Sequence, residues 1–140
     1  MNRIDFTDDE AVQEYITRIG IEYRYQCFTE LLPDGCHRLG DWLQTFHRDF
    51  VKAGRVFKSN CDLTRYAHSC YKYGQFALLG KGLPEKNMQD AAKYLKRGCD
   101  TEEPGLEGAK VRLPFTLVSE WSEYECWIRY LRSIGISLAI

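Results

Sequence analysis

The sequence predicts an all-α fold, an α-solenoid in which helix-turn-helix repeats stack on one another. Two observations carry this prediction: cysteine pairs recur at a fixed period, and apolar residues recur at helical spacing. Cys27 and Cys36 lie nine residues apart, Cys61 and Cys70 also lie nine apart, and the second pair follows 34 residues after the first. A motif that recurs roughly every 20 to 50 residues is typical of stacked repeat proteins.

Residues 1–32 are predicted to form an N-terminal helical half-repeat. The segment Thr7–Glu10 has the S/T-x-x-E pattern of a capping box, so a helix is expected to begin there. Apolar residues then recur at helical spacing up to Ile19. Gly20 predicts a break, and Ile21–Glu30 is expected to form a second helix.

Repeat 1 is assigned to residues 33–66 and repeat 2 to residues 67–103. The segments that begin at Cys36 and Cys70 align, because each has a basic residue two positions later, a glycine four later and an aromatic residue six later. Further along, the offset grows from 34 to 38, which places an insertion and a predicted loop at Leu79–Pro84. Each repeat is therefore expected to contain two helices, the first beginning at a cysteine and the second ending at one.

The apolar residues of these four helices recur at the spacing of one helix face, so each helix is expected to pack against a neighbour. We interpret this stripe as core rather than as a cofactor site. Its members are Leu39, Trp42, Leu43, Phe46, Phe50, Ala53, Val56, Phe57, Tyr73, Phe76, Ala77, Ala91, Ala92, Tyr94 and Leu95.

The composition predicts one globular domain without nucleic-acid or membrane partners. The chain has 140 residues, of which 44% are hydrophobic, and a formal net charge of −1. Its lysines and arginines form no cluster in sequence, which argues against binding to nucleic acid or to an anionic membrane. It has no apolar run long enough to insert into a membrane. Its first ten residues lack the apolar region of a secretory signal, and with one arginine and four acidic residues they do not resemble an arginine-rich mitochondrial presequence.

The cysteine spacing bears on chemistry as well as on fold. Nine residues is too long for the short knuckles that hold zinc and for the C-x-x-C of redox enzymes, so the recurring pairs favour structural disulfides, one per repeat. Redox function and metal binding remain alternatives. For Cys99 and Cys126, which lie outside the recurring pairs, three possibilities stay open: a disulfide between them, an unpaired thiol able to form mixed disulfides, and a buried inert cysteine.

No other residue pattern predicts catalysis or a cofactor. His37, His47 and His68 lack paired ligand spacing and are expected at the surface or at helix ends. No hydrolase motif with a serine nucleophile or a zinc-binding helix occurs. We therefore predict no catalytic residue, no cofactor and no metal.

Four stretches resemble the Sel1-like repeat family, which is related to the TPR repeats: Pro33–Leu39, Phe57–Cys61, His68–Gly74 and Gly80–Gly82. The resemblance runs from about residue 4 to residue 100. It is specific to the cysteine-rich branch, the Hcp "β-lactamase-like" family, and is greatest to members that act in cytochrome c oxidase assembly.

The resemblance implies that a disulfide joins the end of one repeat to the start of the next. Carried over, it pairs Cys27 with Cys36 and Cys61 with Cys70. The repeat series stops after Cys99, and residues 104–140 are predicted to be a divergent tail that has to cap the stack.

The resemblance also implies a location and a role. Similar proteins enter the mitochondrial intermembrane space without a cleaved presequence and are trapped there by oxidative folding, which reconciles paired cysteines with the missing signal. The implied role is that of a monomeric, non-enzymatic scaffold whose concave face binds protein partners during respiratory-chain assembly, chiefly of cytochrome c oxidase. Two alternatives stay open: an enzyme, either a thiol-disulfide oxidoreductase or an Hcp-like β-lactam hydrolase, and a cytoplasmic adaptor with reduced thiols.

Overall fold

The structure is a computed structural model that describes residues 3–100. In this part of the chain it contains five α-helices and no strand, so the all-α prediction is confirmed. Each helix packs against the next along the chain. The assignment of these helices to a solenoid of Sel1-like repeats, and the repeat boundaries, stay predictions. The helices are α1 (Asp9–Phe28), α2 (Pro33–Phe46), α3 (Phe50–Thr64), α4 (Ala67–Leu79) and α5 (Met88–Asp100).

Helix α1 begins one residue later than the predicted capping box requires. Its N-cap is Asp8, whose carboxylate accepts hydrogen bonds from the backbone N–H groups of Glu10 and Ala11. Thr7 instead donates from both its backbone and its hydroxyl to the carboxylate of Asp5. The capping-box assignment is therefore wrong, because the N-cap is Asp8 and not Thr7. The Asp8 carboxylate nevertheless accepts from backbone N–H groups of the first turn, which have no partner within the helix.

Helix α1 also continues through Gly20, where a break was predicted. A side chain at this position would overlap the ring of Trp42, which packs directly on the glycine backbone. The indole Nε1 of Trp42 also donates to the carbonyl of Ile16 at 2.9 Å. Glycine costs a helix only about 1 kcal/mol relative to alanine, and the close approach of α2 more than offsets this cost.

Three of the four cysteines expected at helix ends lie about one turn inside their helices, whereas Cys99 lies one residue before the end of α5. Helix α2 begins three residues before Cys36 and α4 three residues before Cys70, while α3 ends three residues after Cys61. The expected boundaries at Cys36, Cys61 and Cys70 are therefore wrong by about one turn, and the one at Cys99 is correct within one residue. At the start of α2 the reason is Pro33, because proline suits the first helical turn, where its missing N–H has no partner in any case.

The segment predicted as an insertion is part of a loop between α4 and α5. Helix α4 ends at Leu79, Gly80 adopts a left-handed conformation with φ of 73°, and α5 begins at Met88. The loop folds back on the start of α3, since a side chain on Gly82 would overlap the backbone of Phe50.

Most of the predicted apolar stripe forms the core. Phe57 and Phe76 meet edge to face with ring centroids 5.6 Å apart, and Tyr73 and Tyr94 do so at 4.5 Å. The exceptions among the predicted core residues are Phe46 and Ala92, which are exposed, and Phe50 and Val56, which are half-buried. Buried members are Leu39, Trp42, Leu43, Ala53, Phe57, Tyr73, Phe76, Ala77, Ala91, Tyr94 and Leu95.

Candidate functional site

Two disulfides tie consecutive helices together. Cys27–Cys36 joins the last turn of α1 to the first turn of α2, with Cα atoms 4.4 Å apart, and Cys61–Cys70 joins α3 to α4 at 4.8 Å. Cross-links that close loops of this length contribute about 2.5 to 3 kcal/mol by restricting the unfolded chain. The two bonds differ in access: Cys61 and Cys70 are fully buried, whereas Cys36 is partly exposed.

The cysteine at the end of α5 is also oxidised. Cys99 is disulfide-bonded, and its Sγ accepts a hydrogen bond from the Tyr71 hydroxyl at 3.7 Å. No free cysteine occurs within residues 3–100. Cys126, the other residue left open by the sequence, lies outside the described residues.

A polar cluster of His37, Asn60 and Ser69 connects α2, α3 and α4. Nδ1 of His37 lies 2.9 Å from the Ser69 hydroxyl, and the Asn60 amide donates to the same hydroxyl at 2.8 Å. The Asn60 amide also donates to the carbonyl of Pro33 at 2.9 Å. Because Asn60 and Ser69 are buried, these bonds compensate polar groups that water cannot reach.

Burial lowers the pKa of His37 to about 4, so its ring is neutral at physiological pH. Asp41, 3.5 Å from Nε2, opposes this shift, while His68 and Lys72 add to it. The prediction that His37 lies at the surface or at a helix end is wrong, because its side chain is only 14% exposed. Its ring also lies 5.8 Å from that of His68. The two histidines are 31 positions apart, so no pattern in the sequence indicated this contact.

Ser69, His37 and Asp41 are the residue types of a hydrolytic triad, but their arrangement is a structural one. Ser69 is fully buried, and its hydroxyl already accepts the Asn60 amide. A nucleophile must reach the substrate carbonyl, which this hydroxyl cannot do. The cluster gives no support to the β-lactam hydrolase alternative. Its hydrogen bonds instead connect α2, α3 and α4.

A polar groove of about 270 Å³ lies between α2 and α4, and we call it the α2/α4 groove. It combines three cationic side chains with three uncharged polar ones above two phenyl rings. Its lining residues are Arg48, Lys72 and Lys81, then Gln44, Thr45 and Gln75, and finally Phe50 and Phe76.

Sequence reasoning missed this groove. Lys72 lies on α4, but Arg48 lies in the turn after α2 and Lys81 in the loop after α4, so the three cations are separated by 24 and 9 residues. Only the fold brings them together, since the sequence contains no cluster of basic residues at these positions. The detectable signal was Gln44 and Arg48 at i, i+4, one face of a helix and the turn that follows it.

An apolar pocket of about 380 Å³ lies beside the Cys27–Cys36 disulfide. Its rim carries three exposed apolar side chains: Leu63 is 84% exposed, Leu31 75% and Phe28 67%. The pocket gives Cys36 an open apolar side.

Neither a metal centre nor a membrane span emerges from the described residues. Within residues 3–100, no three His, Cys, Asp or Glu side chains come together in a way that could hold a metal ion. The described helices include none of the length and apolarity needed to cross a bilayer.

The chain is similar to curated proteins of one name. It is 45% identical over 98 residues to the cytochrome c oxidase assembly factor 7 homolog of Drosophila melanogaster, covering 69% of this chain and 37% of that protein. It is 36% identical over 102 residues to human cytochrome c oxidase assembly factor 7, covering 73% and 43%. For the mouse protein of that name the identity is 35% over 107 residues, covering 76% and 46%.

No family model matches the chain. The chain spans between 37% and 46% of the length of these three relatives.

Proposed function

We propose that this chain supports the assembly of cytochrome c oxidase as a non-enzymatic scaffold of the mitochondrial intermembrane space that binds partner proteins. The observation that carries the proposal is its identity of 35% to 45% with proteins named cytochrome c oxidase assembly factor 7, over about seven tenths of its own length. The chain spans less than half of those relatives, so the role of the whole protein is extended to it as a proposal.

The disulfides support the compartment. Cys27–Cys36 and Cys61–Cys70 join successive helices, and such bonds persist in oxidising spaces and are rare in the cytosol. The intermembrane space fits both the bonds and a role beside the respiratory chain. A cytoplasmic adaptor would have to keep the same cysteines reduced.

The groove and the polar cluster support a scaffold over an enzyme. The buried histidine and serine are occupied in holding helices together, whereas the α2/α4 groove offers charged and amide groups to a binding partner. These are features of recognition rather than of bond making.

The test is rescue of oxidase assembly. Drosophila cells depleted of the assembly factor 7 homolog would express this chain, and assembled oxidase would be measured on native gels together with its activity. We expect partial or full recovery, with the chain protected from protease in mitochondria whose outer membrane is intact. No recovery, while the chain is present in the intermembrane space, would overturn the role.

A control for the compartment is the double variant Cys61→Ser, Cys70→Ser. Because oxidative folding is proposed to retain the chain, this variant should be depleted from mitochondria. Alkylation with and without reductant, followed by intact mass, should show at least two disulfides in protein taken from cells. Four or more free thiols in that protein would favour the cytoplasmic adaptor.

One observation favours a second candidate, a thiol-disulfide oxidoreductase: Cys36 is partly exposed beside an open apolar pocket. In an assay of insulin reduction by dithiothreitol, the scaffold proposal expects no acceleration above the uncatalysed rate. Acceleration that disappears in Cys36→Ser would favour the enzyme.

A further inference from the structure

We propose that the α2/α4 groove binds an extended, acidic segment of a partner protein and that carboxylates are the groups it recognises. The inference deepens the proposed function and rests on it, since it names the chemistry of the partner that a scaffold would hold.

The charge of the groove is opposite to that of the chain. Arg48, Lys72 and Lys81 line one small cavity, although the whole chain has a formal net charge of −1. The carboxylate beside them is that of Asp41, 3.9 Å from Nζ of Lys72. Arg48 and Lys81 form no ion pair with any residue among 3–100. The lining contains no carboxylate, so the positive charges of Arg48 and Lys81 remain available to an anionic partner.

Arg48 reaches the groove from the turn that follows α2. Arg48 has φ of 49°, a left-handed conformation that glycine adopts without steric cost and that other residues adopt rarely. The chain uses glycine for the same purpose at Gly80 and Gly82. The same conformation occurs at Leu31 and Arg65, which do not line the groove, so the contribution of Arg48 to the groove is its charge.

The size and the uncharged lining favour a peptide over other anions. A cavity of about 270 Å³ admits a few side chains and no folded domain. The amide of Gln75 suits the donors and acceptors of an extended backbone, and the amide oxygen of Gln44 can accept a hydrogen bond while its Nε2 donates to Asp41 at 3.4 Å. Nζ of Lys81 lies 4.6 Å from the centroid of the Phe50 ring, a cation–π contact that positions the ammonium group in the groove without neutralising its charge. Three cations are few for a long polyanion such as nucleic acid, whose binding depends on many phosphate contacts.

The test uses the full chain and a fluorescein-labelled peptide of three Glu-Gly units, with a Gln-Gly peptide of equal length as the neutral comparison. Fluorescence anisotropy at low ionic strength should show binding of the Glu-Gly peptide at least ten-fold tighter than of the neutral one. Added salt should weaken it, because exposed charges are screened beyond a Debye length of about 10 Å at 0.1 M.

The variants Arg48→Gly and Arg65→Gly form a matched pair. Arg65 is exposed, has φ of 57°, and does not line the groove, so both changes remove one arginine and relieve the same backbone strain. Arg48→Gly should weaken peptide binding about two- to five-fold, as expected for a solvent-exposed ion pair, and Lys81→Gln should do the same. Arg65→Gly should leave it unchanged. Thermal stability should hold or rise in both glycine variants.

Four outcomes would overturn the proposal. Equal affinity for the two peptides would show that the groove does not recognise carboxylates. An equal loss of affinity in Arg65→Gly would show that binding depends on the overall charge of the chain and not on the groove. Displacement of the peptide by low millimolar inorganic phosphate would make the groove a general anion site. If the chain bound oligouridine or phosphatidylserine vesicles more tightly than the peptide, and this binding depended on Arg48, the groove would be a site for nucleic acid or for membranes instead of a protein segment.

The proposal and the proposed function can fail separately. If oxidase assembly is rescued but the Glu-Gly peptide does not bind, the groove assignment is wrong and the function stands. If the peptide binds but rescue fails, the groove assignment stands and the proposed function is wrong.

Discussion

Nδ1 of His37 lies 2.9 Å from the hydroxyl of Ser69, and the two residues are 32 positions apart in sequence. The same separation recurs in two other polar contacts, Tyr66 to Asp34 at 3.1 Å and Tyr94 to Asp62 at 2.8 Å. The first two join α2 to the start of α4, and the third joins α3 to α5. Three side-chain contacts therefore link alternate helices, and in each the two residues are 32 positions apart. This separation is close to the 34-residue period of the cysteines.

Protonation of His37 should make the protein less stable in mild acid. Its folded pKa of about 4 lies below the ordinary value of 6.5, so between these values the unfolded chain takes up a proton that the native state refuses. The contribution of the neutral ring is complete above pH 6.5 and is lost as the pH falls towards 4. The charged and titratable groups that act on the pKa of His37 are Asp34, Asp41, His68 and Lys72.

The measurement is urea denaturation of the wild type and His37→Asn at pH 7 and pH 5. We expect the wild type to lose about 2 kcal/mol more than the variant over this interval, because one pKa unit corresponds to about 1.4 kcal/mol. Asparagine keeps a polar group near Ser69 and does not titrate. The same pH dependence in both proteins would contradict the assignment.

Replacing Gly20 by alanine should destabilise the protein, although alanine is the better helix former. The new methyl group would overlap the ring of Trp42, and overpacking of this kind costs about 1 to 3 kcal/mol. The control is Ile21→Ala on the exposed neighbouring position, where we expect a change within about 0.5 kcal/mol. A gain of stability in Gly20→Ala, measured by urea denaturation, would show that α2 does not approach α1 so closely.

The same glycine shows why part of the fold was predictable and part was not. The cysteine period and the apolar spacing predict the helices and most of the core, because both are repeated local patterns. The break at Gly20 was wrong since propensity is local, while the ring of Trp42 arrives from another helix. The α2/α4 groove escaped prediction for a similar reason: Arg48 and Lys81 lie outside helices, in turns whose geometry decides which residues they meet.

Under native conditions, Cys27–Cys36 should be reduced before Cys61–Cys70. Exchange requires a thiolate to reach a disulfide sulfur, and Cys36 is partly exposed whereas both Cys61 and Cys70 are fully buried. Limited treatment with dithiothreitol, trapping with N-ethylmaleimide and peptide mass spectrometry would give the order. In urea the two bonds should be reduced at similar rates, which serves as the control. Earlier reduction of Cys61–Cys70 in the native protein would contradict the burial of that bond.

The contact between Tyr94 and Asp62 should be a measurable link between α3 and α5. The Tyr94 hydroxyl donates to the Asp62 carboxylate at 2.8 Å, and burial together with this hydrogen bond raises the pKa of Tyr94. Tyr94→Phe should cost about 1 to 2 kcal/mol, in the range of hydrogen bonds to charged groups.

A double-mutant cycle with Asp62→Asn isolates this contact. We expect a coupling energy of about 1 kcal/mol, because Asp62 is partly exposed and solvent screens its charge. Tyr73→Phe is the matched control: its ring lies 4.5 Å from that of Tyr94, and its hydroxyl makes no hydrogen bond to another described residue. It should show little coupling to Asp62→Asn. If the Tyr94 cycle gives no coupling, the hydrogen bond does not stabilise the contact between α3 and α5, and the polar link between these helices rests on the ion pair of Arg97 with Asp62 at 2.7 Å.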